Sequence, residues 1–273
     1  MDQHHLKQAF ADGTRVYGTM IASPSPQWVG EISRIGVDFV FIDTEHMPLE
    51  RAQTAWMCQA YRALGIAPIV RIPSPDPYLA AMALDGGAAG IVPPYLETRE
   101  QLNAVRGAVK YRPLKGKRLS DVLEGRETLS PKEQAYLRQY NNGNLLILNI
   151  ESAFAIEHLT ELVTMPDVDA VFIGPHDLSI NIGEPEAYDH PLFAENVERV
   201  IRVCREHRIG VGNHFSFDIE KQLQWARMGM NILLWNADII RFVQALSGDF
   251  AYLKSQLGDG AGAGGGTKTE LTF

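Results

Sequence analysis

The 273-residue chain has few cysteines, no long apolar run and no surplus of basic residues. Its two cysteines, Cys58 and Cys204, lack CxxC spacing, which argues against a disulfide framework and predicts reduced thiols. No apolar stretch approaches the ~18 residues of a membrane span. The N-terminus also lacks the apolar core of a signal peptide, so a soluble, cytoplasmic protein is expected. The net charge of −8 argues against general nucleic-acid binding. It leaves a small anionic substrate open, because one local arginine suffices there.

Short apolar runs alternate with longer amphipathic segments along the chain. The eight runs, rich in Val, Ile, Leu or Phe, cover 16–22, 39–43, 68–73, 90–96, 145–150, 170–173, 209–213 and 231–236. Such runs are typical of strands buried on both faces. Helical patterns cover 26–35, 49–64, 77–85, 99–109, 153–163, 192–207 and 219–228. Eight units of this kind predict an α/β protein with a closed (β/α)8 TIM barrel. An open doubly wound sheet is the alternative, and the lack of a Gly-rich dinucleotide fingerprint disfavours it.

A single domain is predicted over 1–257, followed by a flexible Gly-rich tail over 258–273. One connection inside the domain, 110–144, is long and rich in charge. Loops of this length are usually functional or disordered. Lys115, Lys117 and Arg118 therefore either face an anionic substrate or belong to a solvated loop.

Ionisable residues cluster where the second and third runs end. Asp43 closes the second run, and Glu45 and His46 follow it. A histidine beside carboxylates suits a general base near neutral pH, whereas a structural His46 with Asp43 capping the loop is the alternative. Arg71 lies inside the third run, and a buried arginine needs an anion. Its fork suits a carboxylate or a developing enolate, although an ion pair with Asp43 or Glu45 would also satisfy it.

Two carboxylates follow neighbouring runs at the fifth and sixth positions. Glu151 and Asp177 are candidate ligands of one divalent ion, with water and substrate oxygens completing the shell. Mg²⁺ suits such a site best, and Mn²⁺ or Co²⁺ also fit. Either carboxylate alone is compatible with a helix N-cap. The turn from Gly174 to Asp177 offers backbone N–H groups to a substrate carboxylate. Asp85 ends a helix, where the dipole disfavours a negative charge.

Together these residues resemble the HpcH/HpaI family of metal-dependent class II aldolases, which act on 2-oxo acids such as 2,4-dihydroxyhept-2-ene-1,7-dioate. The resemblance extends from about residue 18 to 246. Its motifs, in the family's order, are Ile42-Asp43-Thr44-Glu45-His46, Val70-Arg71, Leu84-Asp85-Gly86-Gly87, Ile150-Glu151-Ser152 and Phe172-Ile173-Gly174-Pro175-His176-Asp177-Leu178-Ser179. The resemblance implies a phosphoenolpyruvate/pyruvate-type TIM barrel. It also implies a homo-oligomer, a hexamer built as a trimer of dimers, with the eighth helix exchanged between neighbours.

The resemblance also implies roles for the matched residues. Glu151 and Asp177 would bind the metal ion, and pyruvate would chelate it. Arg71 would stabilise the enolate oxygen, with Asp43 holding the arginine. No Schiff-base lysine lies at a recognisable strand end, which argues against the class I aldolase route.

The proton chemistry is assigned by the same resemblance. His46 would act as acid and base, oriented by Asp85 of a neighbouring subunit, and Glu45 would hold water near the metal. The implied reaction is reversible cleavage of a 4-hydroxy-2-oxo acid to pyruvate and an aldehyde.

Several positions depart from the family's pattern. Asn149 replaces the usual glutamine two residues before the metal-binding glutamate, and His176 replaces a small residue. With Gly174 and Asp177, they are predicted to contact the substrate. The loop 112–121 and the segment 213–215 are also unusual, so the aldehyde stays open. The alternatives are oxaloacetate decarboxylation, another enolate-forming reaction, or an inactive barrel that binds a ligand. The intact set of site residues disfavours the last.

Overall fold

Eight parallel strands form a closed barrel in which each strand pairs with its neighbours in chain order. The computed structural model describes residues 1–214 and 219–259. The strands are β1 (Val16–Met20), β2 (Phe39–Asp43), β3 (Ala67–Arg71), β4 (Gly90–Val92), β5 (Leu145–Ile150), β6 (Ala170–Ile173), β7 (Gly210–Asn213) and β8 (Ile232–Ala237). The predicted (β/α)8 barrel is confirmed. The Gly-rich tail that was predicted over 258–273 lies outside the described residues from 260 onward.

Helices connect the strands around the outside of the barrel. They are α1 (Gln3–Asp12), α2 (Pro26–Ser33), α3 (Arg51–Ala63), α4 (Pro77–Asp85), α5 (Arg99–Lys110), α6 (Gly116–Leu123), α7 (Pro131–Tyr140), α8 (Ala153–Glu157), α9 (Leu159–Val163), α10 (Pro175–Asn181), α11 (Pro191–Glu206), α12 (Ile219–Met228) and α13 (Asp238–Leu257). Every predicted helical segment overlaps at least one of them, although α5 ends one residue later than predicted and α11 begins one residue earlier. The single helix predicted over 153–163 is divided at His158 into α8 and α9.

Alternation along the strands separates two apolar layers. In β2, Phe39 and Phe41 pack inside the barrel, whereas Val40 and Ile42 pack against the surrounding helices. Because side chains alternate between the faces of a strand, each strand delivers every second residue to the interior. The fourth run was predicted to extend to residue 96, but β4 ends at Val92 because two prolines follow and lack the N–H that a strand ladder needs.

The charged connection 110–144 folds into two helices, α6 and α7, instead of a structureless loop. Ser130 and Glu133 form a capping box that starts α7. Lys117 pairs with Asp121, and Arg118 lies 2.7 Å from Glu127. Both cations are exposed, and their carboxylate partners lie in the same connection. This arrangement fits a solvated segment better than a contact with an anionic substrate.

The last helix, α13, has an unusual surface for a barrel helix. Asp238 is its one buried residue, and it accepts hydrogen bonds from the backbone N–H groups of Ala22 and Ser23. The remaining turns carry an exposed apolar stripe at helical spacing: Ile239, Phe242, Val243, Leu246, Phe250, Leu253 and Leu257.

The two cysteines and the membrane prediction also have structural counterparts. Cys58 and Cys204 are buried and unbonded, as predicted. Burial raises the pKa of Cys58 to about 12, which suits an inert thiol. Within residues 1–214 and 219–259, no helix has the length and apolar character needed to cross a bilayer.

Candidate active site

The polar residues of the site continue the inward-facing series of their strands. Asp43 follows Phe39 and Phe41 on the inner face of β2, and Arg71 follows Ala67 and Ile69 on β3. In β5 the inner series of Leu145 and Ile147 continues to Asn149 and Glu151, and in β6 that of Ala170 and Phe172 continues to Gly174. The side chains therefore meet at the carboxyl-terminal mouth of the barrel, where catalytic residues of this fold lie.

Arg71 is the centre of one half of the site. It is buried, and its Nε and Nη2 donate to the two oxygens of Asp43 at 2.8 and 2.6 Å. Oε2 of Glu45 lies 3.3 Å from the same Nε of Arg71 and 3.8 Å from Nε2 of His46. The four residues form a line from the barrel interior to the half-exposed His46. Nη1 of Arg71 is buried and has no hydrogen-bond partner within the described chain.

The pKa values of the two carboxylates beside Arg71, Asp43 and Glu45, shift in opposite directions. Burial alone would raise the pKa of Asp43, but the hydrogen bonds and charge of Arg71 outweigh it and hold that pKa below its usual range. Burial raises the pKa of Glu45 to about 7, against the pull of Arg71 and with help from the charges of Glu151, Asp43 and Asp177. The mouth of the barrel therefore carries more negative charge than its one arginine balances.

Glu151 is the centre of the other half, and the chain fixes it from several sides. It is buried, Nδ2 of Asn149 donates to Oε1, and the backbone N–H of Tyr95 donates to Oε2 at 3.2 Å. A Cβ on Gly174 would lie 2.5 Å from Cγ of Glu151, so only glycine fits there. Glu151 is not a helix cap; Ser152 caps α8 by accepting from the N–H of Ala155.

Asp177 and His176 lie in the first turn of α10, whose N-cap is Gly174. The helix thus begins before Asp177, so Asp177 is not the N-cap that the alternative interpretation required. Both side chains are partly exposed, and Nδ1 of His176 lies 3.5 Å from the hydroxyl of Tyr188. A carboxylate in the first turn is stabilised by the helix dipole.

Asp85 lies apart from the buried predicted site residues in this chain. Its carboxylate is 67% exposed and accepts a 2.5 Å hydrogen bond from Nη1 of Arg112. Among the described residues it has no contact with His46, so its predicted action on a neighbouring subunit stays a prediction.

Two residues of the site were not predicted from the sequence. Tyr95 adopts a positive φ of 52°, which places its N–H on Glu151, and no sequence signal marks that strained turn. His214, with Nε2 3.4 Å from Oε1 of Glu151, follows β7. The sequence could have indicated this residue, because alternate residues of a strand share a face and His214 follows Gly210 and Gly212 on the inner face of β7.

The residues available for a metal ion are limited in number. Within the described ranges no three His, Cys, Asp or Glu side chains converge closely enough to hold a metal by themselves. A cation bound by Glu151 and Asp177 therefore needs water or substrate oxygens for the rest of its shell, as Mg²⁺ commonly does.

Comparison with known proteins identifies the family. The family model described as HpcH/HpaI aldolase/citrate lyase matches residues 17–245. A 2-dehydro-3,6-dideoxy-6-sulfogluconate aldolase of Pseudomonas putida is 33% identical over 195 residues, which cover 71% of this chain and 76% of the relative. A 2-keto-3-deoxy-L-rhamnonate aldolase of Salmonella gallinarum is 29% identical over 260 residues, which cover 92% of this chain and 94% of the relative. The crystal structure of a family protein from Burkholderia cenocepacia J2315 superposes with a TM-score of 0.77, at 25% identity, over 92% of this chain and 99% of that one. The chain therefore belongs to the HpcH/HpaI aldolase/citrate lyase family, and it is a carbon–carbon lyase of the aldolase type.

Proposed function

We propose that this protein cleaves a 4-hydroxy-2-oxo acid reversibly to pyruvate and an aldehyde, with a divalent cation held by Glu151 and Asp177. The observation that carries the proposal is the buried Nη1 of Arg71, which has no hydrogen-bond partner among the described residues in a site otherwise dominated by carboxylates. An arginine held on one side by Asp43 keeps its free edge for an anionic substrate oxygen. The aldolase relatives named above favour 2-keto-3-deoxy sugar acids as the substrate class.

The residues at the mouth fit a divalent cation. Glu151 is fixed by Asn149 and Tyr95 before any ligand arrives, and Gly174 leaves room for its carboxylate. The negative charges of Glu151 and Asp177 raise the pKa of Glu45, so a positive charge placed among them would be stabilised. When bound, a divalent cation polarises the 2-oxo group as a Lewis acid. Mg²⁺ is the proposed ion, and Mn²⁺ or Co²⁺ would be accepted by the same oxygens.

Arg71 would stabilise the charge that develops on the substrate. As the bond between C3 and C4 breaks, its electron pair moves towards the 2-oxo oxygen, and Nη1 of Arg71 can donate to that oxygen. Asp43 holds the guanidinium in place through two hydrogen bonds, so little reorganisation is needed at the moment of reaction. Removing a donor of this kind typically lowers kcat by about 10²–10³-fold.

His46 would move the proton of the reaction. In the cleavage direction the 4-hydroxyl loses its proton to His46 as the aldehyde forms, and C3 of the enolate gains a proton to give pyruvate. His46 lies at the rim, half-exposed, with its Nε2 3.8 Å from Oε2 of Glu45, and an imidazole in that place can take up and return a proton. Asp85 of a neighbouring subunit is the proposed second partner of the ring.

The assay follows pyruvate release from several 4-hydroxy-2-oxo acids with Mg²⁺, Mn²⁺ or Co²⁺, and with oxaloacetate alongside. Arg71→Ala should lower turnover by two orders of magnitude and leave metal binding intact. Glu151→Ala should abolish metal binding. Arg34→Ala, at an exposed salt bridge far from the barrel mouth, is the matched control and should retain full activity. No pyruvate from any 4-hydroxy-2-oxo acid would refute the aldolase specificity, and release from oxaloacetate alone would favour a decarboxylase.

We also propose a homo-oligomer, a hexamer of three dimers, in which α13 is exchanged between neighbours. Its exposed apolar stripe has no cover within the described chain, and an apolar face of that length favours contact with another subunit. Asp238 anchors the start of the helix to its own barrel through Ala22 and Ser23. The same assembly would bring Asp85 of one subunit towards His46 of the next.

A further inference from the structure

A histidine of β7 lies against the candidate metal-binding glutamate of β5. Nε2 of His214 is 3.4 Å from Oε1 of Glu151, and the two side chains are 5% and 4% exposed. At this separation the two groups are in polar contact, but no hydrogen bond joins them. Nε2 has no hydrogen-bond partner within residues 1–214 and 219–259. A buried polar atom that stays unpaired is destabilising, so its position needs an explanation.

Two phenylalanine rings inside the barrel pack against the imidazole of His214. Its plane is within 4° of the ring of Phe41, at 6.2 Å between centroids, and the ring of Phe172 meets it edge-on at 6.5 Å. Phe41 and Phe172 are themselves in edge contact at 5.8 Å. Both rings are buried, so they restrict rotation of the imidazole and keep Nε2 close to Glu151.

A count of donors shows what His214 adds. An ionised carboxylate has about four acceptor positions. Asn149 and the N–H of Tyr95 use one on each oxygen of Glu151. A hydrogen on Nε2 of His214 would fill a third, and the imidazole form with that hydrogen is favoured because two acceptors facing each other repel. The remaining position is then the one left for a cation.

We propose that His214 is a positioning residue, whose Nε2–H fixes the carboxylate of Glu151 in the orientation that binds the metal. The inference rests on the proposed function, because it assumes that Glu151 is a metal ligand. A role as a third direct ligand is disfavoured, because no three such side chains converge on one point among the described residues. Partners that orient a ligand typically change metal affinity by about 10–100-fold when removed.

Two amide substitutions separate the geometry from the chemistry. In His214→Gln the amide nitrogen reaches the place of Nε2, whereas in His214→Asn it reaches only that of Nδ1. Binding of Mn²⁺ alone is measured by electron paramagnetic resonance and by calorimetry, without substrate. His214→Gln should bind within about threefold of the wild type, and His214→Asn should bind about tenfold more weakly. His207→Gln, at the exposed C-cap of α11, is the control and should not change.

Turnover at varied Mn²⁺ supplies a second readout. With His214→Asn, kcat/KM should fall at limiting Mn²⁺ and recover when the metal is saturating. Loss of turnover at saturating Mn²⁺ with unchanged affinity would overturn the proposal, because His214 would then act on the substrate. Equal Mn²⁺ affinity in the Asn, Gln and wild-type proteins would also overturn it. Circular dichroism and the melting temperature verify that each variant is folded, and the Asn/Gln pair keeps the comparison between two polar side chains of similar size.

Glu151→Ala distinguishes failure of this inference from failure of the proposed function. If Glu151→Ala loses Mn²⁺ while His214→Asn keeps it, only the positioning role is wrong. If Glu151→Ala binds Mn²⁺ as tightly as the wild type, the metal site itself is misplaced, and both proposals are overturned.

Discussion

Asp43→Asn is the sharpest perturbation of the buried ion pair in the active site. The substitution preserves shape but removes the charge and one acceptor. Nε of Arg71 can still donate to the amide oxygen, whereas Nη2, now 2.6 Å from an oxygen of Asp43, would face an NH₂ group. Both partners are at most 1% exposed, so water cannot replace the lost contact.

The expected loss of stability in Asp43→Asn follows from the burial of the ion pair. Breaking a buried ion pair by removing one partner costs about 3–5 kcal/mol. Glu45 lies 3.3 Å from Nε of Arg71 and can balance part of the charge, so the expected loss for Asp43→Asn is about 3 kcal/mol. Glu31→Gln is the matched control: its pair with Arg34 has a length of 2.9 Å, but the side chains are 58% and 76% exposed. Such an exposed pair contributes about 0–1 kcal/mol.

The assay is urea unfolding at pH 7.5 with a chelator present, followed by circular dichroism. The pKa of Asp43 is held below its usual range, so its stabilisation is present above the unfolded value of about 3.9 and is lost as pH falls through the folded pKa. The difference between wild type and Asp43→Asn should therefore shrink below about pH 4. An Asp43→Asn protein that loses no more free energy of unfolding than Glu31→Gln would refute the reasoning.

Three further predictions concern the same molecule. The pKa of Glu45 is raised to about 7, so its neutral form stabilises the folded protein at low pH. With a chelator present, the free energy of unfolding should fall by at most about 3 kcal/mol as pH rises from about 4.5 to 7. Glu45→Gln should flatten this slope in urea unfolding, and an unchanged slope would contradict the assignment. Gly174→Ala should weaken Mn²⁺ binding about tenfold in calorimetry because its Cβ collides with Glu151, whereas Gly30→Ala, with open space around the Cβ, should not; equal affinities would contradict the steric argument. Phe242→Glu should lower the molar mass in light scattering, since it places a charge in the apolar stripe of α13, and an unchanged mass would show that this stripe is not an interface.

The barrel and most of its site could be predicted because buried parallel strands leave a strong local signal. The predicted runs 39–43, 145–150 and 170–173 coincide with β2, β5 and β6. Each is apolar, short and free of proline, so nothing in the tertiary structure competes with the local preference. The polar residues after these strands could likewise be assigned to one mouth, because all strands of a parallel barrel share a direction.

The unpredicted elements have weak local signals or depend on distant contacts. Within the charged connection, α6 has no buried residue, and ion pairs such as that of Arg118 with Glu127 join segments nine residues apart. The helix α13 combines an apolar stripe with little burial in its own chain, so its role depends on a surface that a single sequence does not reveal. The turn at Tyr95 depends on a positive φ, which residue type alone does not predict.

Asn149 and His214, which appear in the sequence as two unrelated departures from the family pattern, lie against the same oxygen of one carboxylate. Asn149 is two residues before Glu151 on the inner face of β5, and its Nδ2 donates to Oε1 of Glu151. Its Oδ1 has no hydrogen-bond partner among the described residues. His214 approaches the same Oε1 from β7. Both departures therefore contact the carboxylate of Glu151, and a survey of aldehyde specificity should vary the exposed rim around His46 and His176 before these two buried positions.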